Sequence, residues 1–265
     1  KIKYIGIDTV KSRDKNTLKI DINDKNLLIK LKKYKIDTII HLAAISNSQR
    51  CAADELGCFK TNVLGTINML NFAKKKKIKK FIFASTEWIY EIQKQQKIKN
   101  KMTGKIDKYA LSKKICEDII KLNNLDFVIL RLGIIYGKRS PTNFSAVESI
   151  VYQNQKSKFI KVNSKKTARR YIHINDIIKS IYESLIFKRY LNKIVDIQGP
   201  KLISFKEIVK KLKFISNKNP RLIETAPKKF SIRNIKSNYS KIFRPKVDIE
   251  KGLKLVISEI NEKSY

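Results

Sequence analysis

The chain has 265 residues, 42% of them hydrophobic, which is enough length and apolar material to bury a core and excludes a disordered chain. Its 59 Lys and Arg outweigh 23 Asp and Glu, and the formal net charge of +36 raises nucleic acid or an anionic membrane as a partner. Most of the basic residues are lysines, whereas proteins that contact phosphates and base edges usually employ arginine. Because Ile and Asn are abundant and Gly and Pro scarce, we attribute the charge to AT-rich coding and predict no specific nucleic-acid partner.

The cysteines and the apolar runs narrow the class further. Cys51, Cys58 and Cys116 are an odd number in a chain of this size, which excludes a disulfide framework and predicts a reducing, cytoplasmic environment. The most apolar run, 127–136, contains Arg131, and no stretch reaches the roughly 18 apolar residues of a membrane span. We therefore predict no membrane partner, and we find no set of residues with metal-ligand spacing.

Short runs of β type alternate with segments of helical periodicity along the chain, which is the pattern of α/β proteins. The pattern predicts strands at 3–8, 37–42, 80–85, 127–132 and 193–197, and helices at 25–34, 62–76, 108–122, 175–187, 204–212 and 249–260. Because the strands are continuously apolar, they indicate a parallel sheet covered on both faces. We expect a Rossmann-like doubly wound parallel sheet, with a smaller C-terminal substrate-binding part.

The candidate chemistry lies where a predicted strand ends and a helix begins. Thr86 directly follows the predicted strand 80–85, and the helix carries Tyr109 and Lys113, which share one helical face because they are four residues apart. An ammonium beside a tyrosine lowers its pKa by ~1–3 units from about 10, so Lys113 would make Tyr109 an acid/base. The Thr86 hydroxyl could then bind the substrate oxygen on which Tyr109 acts. In a chain this rich in lysine, an exposed helical pair is the alternative.

Six segments follow one another in the order and spacing of a known family. They are 37–44, 61–66, 83–86, 109–113, 130–137 and 169–176. The chain resembles the extended short-chain dehydrogenase/reductases over nearly its whole length, and within them the NAD-dependent nucleotide-sugar epimerases and dehydratases. Its end, 240–254, also looks like the entry to the family's C-terminal helix.

This resemblance implies a function. It implies epimerisation, or a related oxidation–reduction, of a nucleotide sugar through a transient keto intermediate, with NAD rather than NADP as cofactor. A net reductase or dehydratase on a similar substrate is one alternative, and a non-catalytic Rossmann-derived scaffold or RNA-binding protein is another. The resemblance leaves room for a homodimer.

The resemblance also implies roles for individual residues. Tyr109 would be the acid/base, Lys113 would hold the nicotinamide ribose, and Thr86 would bind the sugar oxygen. Glu87 would also contact the substrate, and Arg169 would meet its diphosphate through a charge-assisted contact. The residues implied for cofactor binding, besides Tyr109 and Lys113, are Asp8 at the adenosine ribose, Asp21 and Ile22 beside the adenine, and Leu42, Ala43 and Ala44 along the dinucleotide channel; Asn62 would brace a helix start.

Three departures from the family's pattern matter. The eight glycines contain no Gly-x-x-Gly-x-x-Gly set, so we expect that one βα unit of about thirty residues precedes this chain, and that the chain alone is an inactive fragment. Glu87 is followed by Trp88 where the family's dehydratases have a second acidic residue. Ile134 replaces an asparagine of many members.

We predict an NAD-binding domain formed by 1–140 and 171–198, and a substrate-binding part formed by 141–170 and 199–265. His41 and His173 are expected to have structural roles, as is Cys116, a small buried residue.

Overall fold

The computed structural model describes residues 2–93, 106–138, 143–233 and 242–262. The strands are β1 Gly6–Asp8, β2 Thr17–Lys19, β3 Thr38–His41, β4 Lys80–Thr86, β5 Asp126–Leu132, β6 Ile134–Tyr136, β7 Phe159–Val162, β8 Ala168–Arg169, β9 Tyr171–His173, β10 Lys193–Ile197, β11 Ile203–Ser204 and β12 Arg221–Glu224. The helices are α1 Leu27–Lys30, α2 Ser48–Ala53, α3 Glu55–Phe59, α4 Gly65–Lys75, α5 Lys108–Lys121, α6 Ala146–Lys156, α7 Ile174–Ile186, α8 Phe205–Ser216 and α9 Ile249–Glu262. A π-helical segment, Lys60–Leu64, leads directly into α4.

The main sheet has the strand order β10-β5-β4-β3, and β1 and β2 form a separate parallel pair. β3 runs parallel to β4, with His41 opposite Phe83. The middle of β4 is fully buried, which is why its sequence is an uninterrupted apolar run. The predicted α/β architecture with a parallel sheet is confirmed.

The chain divides into two compact units, residues 1–131 with 187–194 and residues 132–186 with 195–265. In the first unit, α1 and α4 pack with β3, β4 and α5 around one apolar cluster that includes Leu31, Phe72 and Phe81. In the second, α6, α8 and α9 bury a cluster of their own. These bounds differ from those of the two predicted functional domains. The predicted domains were defined by the ligand that each would bind, and that division stays a prediction.

The pairing of Cys51 and Cys58 corrects the sequence analysis. The two residues form a disulfide, and Cys116 is a free, buried cysteine. The expectation of three free thiols was wrong because α2 and α3, which the sequence did not predict, turn at Asp54 and bring residues seven apart together.

Within the described part of the chain, every helix is too short or too polar to cross a membrane. The predicted C-terminal entry at 240–241 lies outside the described residues.

Candidate active site

Three consecutive residues at the end of β4 contact one face of α5. Lys113 Nζ donates to the Ala84 carbonyl at 2.8 Å, and the Thr86 side chain is close enough to Tyr109 to lower the pKa of its phenol. α5 begins after Asp107, whose carboxylate accepts a hydrogen bond from the Ala110 amide at 2.8 Å and so caps the helix. The structure therefore brings together the three side chains that the sequence predicted as catalytic.

The acidity of Tyr109 differs from the expectation. Burial is the main cause that raises the pKa of Tyr109 to about 12; the Thr86 side chain opposes the rise, and the charge of Asp107 adds to it. The expected lowering by Lys113 is not seen: Lys113 is not among the groups that shift the pKa of Tyr109, and its ammonium donates to the Ala84 carbonyl and lies 4.5 Å from the centre of the Phe83 ring. Tyr109 is therefore a protonated hydrogen-bond donor at neutral pH.

Lys113 is itself perturbed. It is 2% exposed, and burial lowers the pKa of its ammonium to about 8, while the negative charge of Glu117 opposes the fall. Its charge is therefore more sensitive to its surroundings than that of a surface lysine.

Asn62, in the π-helical segment, connects the start of α5 to the loop after β3. Its amide nitrogen donates to Ser112 Oγ at 2.9 Å, and its amide oxygen accepts from the Ile45 backbone at 2.8 Å. Ser112 in turn donates to the Tyr109 carbonyl at 2.8 Å. This is the bracing role that the resemblance implied for Asn62.

One group of the site, Glu117, was not predicted from the sequence. Glu117 is buried and bonded to Ser85 Oγ at 2.6 Å and to Arg131, on β5. The spacing carries a signal that could have identified Glu117, since it lies four residues beyond Lys113 on the same helical face.

His41 is 3% exposed, its Nε2 lies 3.0 Å from Thr66 Oγ1, and its ring centre lies 5.7 Å from that of Phe83 on β4. Burial and, to a smaller extent, the charge of Lys113 lower the pKa of His41 from 6.5 to about 3. It thus occupies the structural position that the sequence predicted.

We expect a pH dependence of stability from His41. Below pH 6.5 the imidazole of His41 becomes protonated in the unfolded chain, whereas in the folded chain it stays neutral until about pH 3. The contribution of His41 to the free energy of unfolding is therefore complete above pH 6.5 and is lost as the pH falls. At ~1.4 kcal/mol per pH unit, the free energy of unfolding should fall by about 2 kcal/mol between pH 6.5 and pH 5. Urea unfolding at pH 7 and pH 5 measures it. Between these two pH values the free energy of unfolding of a His41→Gln variant should fall by about 2 kcal/mol less than that of wild type. An equal fall in both proteins would contradict the buried, neutral state of His41.

The chain was compared with models of known protein families. Residues 2–189 match the model of the NAD dependent epimerase/dehydratase family. The chain belongs to that family.

Individual relatives agree with this family. The chain is 26% identical to the UDP-glucuronate 4-epimerase of Thermodesulfobacterium geofontis, covering 97% of this chain and 83% of that protein. It is 28% identical to the dTDP-D-glucose 4,6-dehydratase of Dictyostelium discoideum over 74% of this chain and 49% of that protein. The crystal structure of Thermotoga maritima UDP-glucose 4-epimerase with UDP-glucose is similar with a TM-score of 0.78 at 21% identity, covering 97% of this chain and 90% of that one. These neighbours confirm the Rossmann-like fold.

The residues expected at the cofactor of this epimerase/dehydratase family member differ in accessibility. Asp8 is exposed at the end of β1, and its carboxylate accepts from the Val10 amide at 3.0 Å. Leu42 is 55% exposed directly after β3, and Ala43 beside it is also exposed. An exposed carboxylate can accept hydrogen bonds from ribose hydroxyls, and exposed apolar side chains at strand ends can pack against a nicotinamide or adenine ring. Ala44 is half-buried.

The two residues expected beside the adenine differ in their exposure to solvent. Asp21 is exposed and accepts from the Asn23 amide at 2.8 Å. Ile22 is buried, and a β-carbon on Gly65 would lie 2.3 Å from its Cδ1. The Ile22 side chain is therefore part of the core, and only its backbone is left for a contact with adenine.

The predicted substrate residues Glu87 and Arg169 lie in different units. Glu87 follows β4 and is 3% exposed. Arg169, in the second unit, is half-buried, and its guanidinium donates to the Ser231 carbonyl at 2.6 Å and to Ser231 Oγ at 2.5 Å. A contact between Arg169 and a diphosphate stays a prediction.

Proposed function

We propose that the protein interconverts nucleotide sugars as an NAD-dependent epimerase, with UDP-sugars as the substrate class and the sugar C4 as the reacting carbon. The observation that carries the proposal is the contact of Thr86 with Tyr109, with Lys113 on the same face of α5. The similarity to the UDP-glucuronate 4-epimerase of T. geofontis supports the substrate class and the position.

The chain's own residues would move one proton in each direction. Thr86 orients the reacting sugar hydroxyl towards Tyr109 Oη, which accepts the hydroxyl proton and later returns it to the keto oxygen. NAD, when bound, supplies the reversible acceptor for the hydride of the same carbon. Because burial holds the pKa of Tyr109 at about 12, its phenolate needs a positive charge beside it, and Lys113, one helical turn away, would supply this charge. Asp8, Leu42 and Lys113 would hold the cofactor.

We also propose that these 265 residues require a glycine-rich βα unit for tight NAD binding. Backbone amides of a glycine-rich turn and the following helix N-terminus bind the pyrophosphate in this fold class, and the eight glycines here do not have that spacing. We expect calorimetry to detect NAD binding only after a glycine-rich βα unit is fused to the N-terminal end of the chain. Tight binding by the 265 residues alone would contradict this proposal, and with it the inactivity of the chain alone.

The test of the function is conversion of a UDP-sugar. The fused chain with NAD is incubated with UDP-glucose, UDP-galactose or UDP-glucuronate, and proton NMR follows the configuration at C4. An epimerase gives the C4 epimer without net change in NAD, a reductase consumes reduced cofactor, and a dehydratase gives a deoxy keto sugar. No conversion of any UDP-sugar, and no rise in melting temperature with one, would contradict the proposal.

The non-catalytic alternative makes a different prediction. At ~150 mM salt we expect RNA and DNA to bind no more tightly than the ~10⁻⁴–10⁻⁶ M of non-specific contacts. Sequence-selective nanomolar binding without any response to a UDP-sugar would favour that alternative. The cytoplasmic location and the homodimer stay predictions.

A further inference from the structure

A buried ion pair lies one helical turn beyond Lys113. Glu117 is fully buried and Arg131 is 6% exposed. Arg131 Nε donates to Glu117 Oε1 at 2.9 Å, and Arg131 Nη2 donates to Glu117 Oε2 at 2.7 Å. Two parallel hydrogen bonds between planar groups fix their relative orientation as well as their distance. The pair therefore fixes α5 against β5.

Two further contacts enclose the pair. Ser85 Oγ donates to Glu117 Oε1 at 2.6 Å, and the Arg131 guanidinium lies 4.7 Å from the centre of the Tyr90 ring. Both carboxylate oxygens are thus bonded, and an aromatic ring lies beside the guanidinium. The carboxylate of Glu117 connects α5 to β4 and to β5 at once.

Three consecutive residues of β4 meet three residues that lie on one face of α5. Ala84, Ser85 and Thr86 are consecutive, and they meet Lys113, Glu117 and Tyr109, which are spaced by four residues on the helix. The outer two contacts belong to the catalytic side chains, whose bonds must change during the reaction. The contact between Ser85 and Glu117 lies between them in the sequence of β4 and has no part in the proposed chemistry.

We propose that Glu117 is a positioning residue that, with Arg131 and Ser85, fixes Tyr109 and Lys113 against Thr86 for the reaction. The inference rests on the proposed function. Stability alone does not account for the ion pair, because a buried pair loses as much by desolvation as it gains, and apolar residues of similar volume often replace one without loss of stability. A fixed register at the strand end is what an apolar pair would not supply.

The experiment replaces both charges and observes Tyr109 directly. Glu117→Leu/Arg131→Met in the 265-residue chain removes the pair without leaving a buried charge alone. The protein is labelled with 3-fluorotyrosine, and the Tyr109 resonance among the 11 tyrosines is assigned by its loss in Tyr109→Phe. We expect the variant to fold and its Tyr109 fluorine resonance to shift or broaden. In the fused chain, kcat should fall by about 100-fold with KM within threefold of wild type, as expected for a small misplacement of reacting groups.

Two other variants make the result specific. Asp118→Asn removes the neighbouring carboxylate of α5, which bonds Lys114 and Lys121 and not β4, and should leave the resonance and kcat unchanged. Ser85→Ala removes a single bond to Glu117, so it should shift the same resonance by a smaller amount even if the double variant fails to fold.

The outcomes separate the two proposals. A wild-type Tyr109 resonance and a wild-type kcat in the folded double variant, or a wild-type resonance in Ser85→Ala when the double variant fails to fold, would overturn the positioning role. If the wild-type fused chain converts no nucleotide sugar, the proposed function fails, and the fluorine resonance still decides whether Glu117 positions Tyr109.

Discussion

Tyr109→Phe is expected to lower turnover of a UDP-sugar by ~10²–10⁴-fold, the usual contribution of a general acid/base. The substitution removes the hydroxyl that exchanges a proton with the sugar oxygen and that contacts Thr86, while the ring still fills the same space. Affinities for NAD and for the UDP-sugar should therefore stay within threefold of wild type. Turnover by proton NMR and affinity by calorimetry, both on the fused chain, measure the two effects.

Two comparisons make the Tyr109 result interpretable. Tyr182→Phe alters a half-exposed tyrosine of α7 in the second unit and should leave kcat unchanged. Lys113→Ala should reduce both kcat and NAD affinity, because it removes a proposed ribose contact together with the positive charge that is proposed to stabilise the Tyr109 phenolate. Normal turnover by Tyr109→Phe would exclude the proposed proton transfer.

The sequence predicted the elements that apolar periodicity defines. Strand β10 was predicted with its observed bounds, and the predicted helix at 108–122 differs from α5 by one residue. Each of these two elements buries one or both of its faces, so the period of its apolar residues follows directly from whether it is a strand or a helix. The placement of Thr86 at a strand end and of Tyr109 and Lys113 near a helix start could therefore be predicted from the same pattern.

The features that the sequence did not predict depend on contacts between distant residues. The π-helical segment around Asn62 is bonded to Ile45 and Ser112, which are 17 and 50 residues away. The raised pKa of Tyr109 depends on burial, which a helical spacing of four does not reveal. Arg131 entered the sequence analysis only as a charge that interrupts an apolar run, because its partner Glu117 lies on another element.

Glu117→Ala is expected to lower the free energy of unfolding by about 3–5 kcal/mol. The substitution leaves the Arg131 guanidinium buried without the carboxylate that neutralises it, and it removes the acceptor of Ser85 Oγ. The carboxylate keeps the pKa of Arg131 above its ordinary value even though burial lowers it, so the guanidinium would stay charged in a site that no longer compensates it. Urea unfolding followed by circular dichroism measures the change.

The size of this loss separates the cost of an unpaired charge from the contribution of the pair. The free energy of unfolding of Glu117→Leu/Arg131→Met should lie within about 1 kcal/mol of the wild-type value, because this variant buries no charge at that site. Glu250→Gln, which removes an exposed carboxylate that pairs with Lys211, should cost less than about 1 kcal/mol. Equal losses in Glu117→Ala and in the double variant would show that the ion pair itself stabilises the fold. That result would give Glu117 a structural reason for its place on α5 that is independent of catalysis, whereas a large loss in Glu117→Ala alone leaves positioning as the reason that the pair is present.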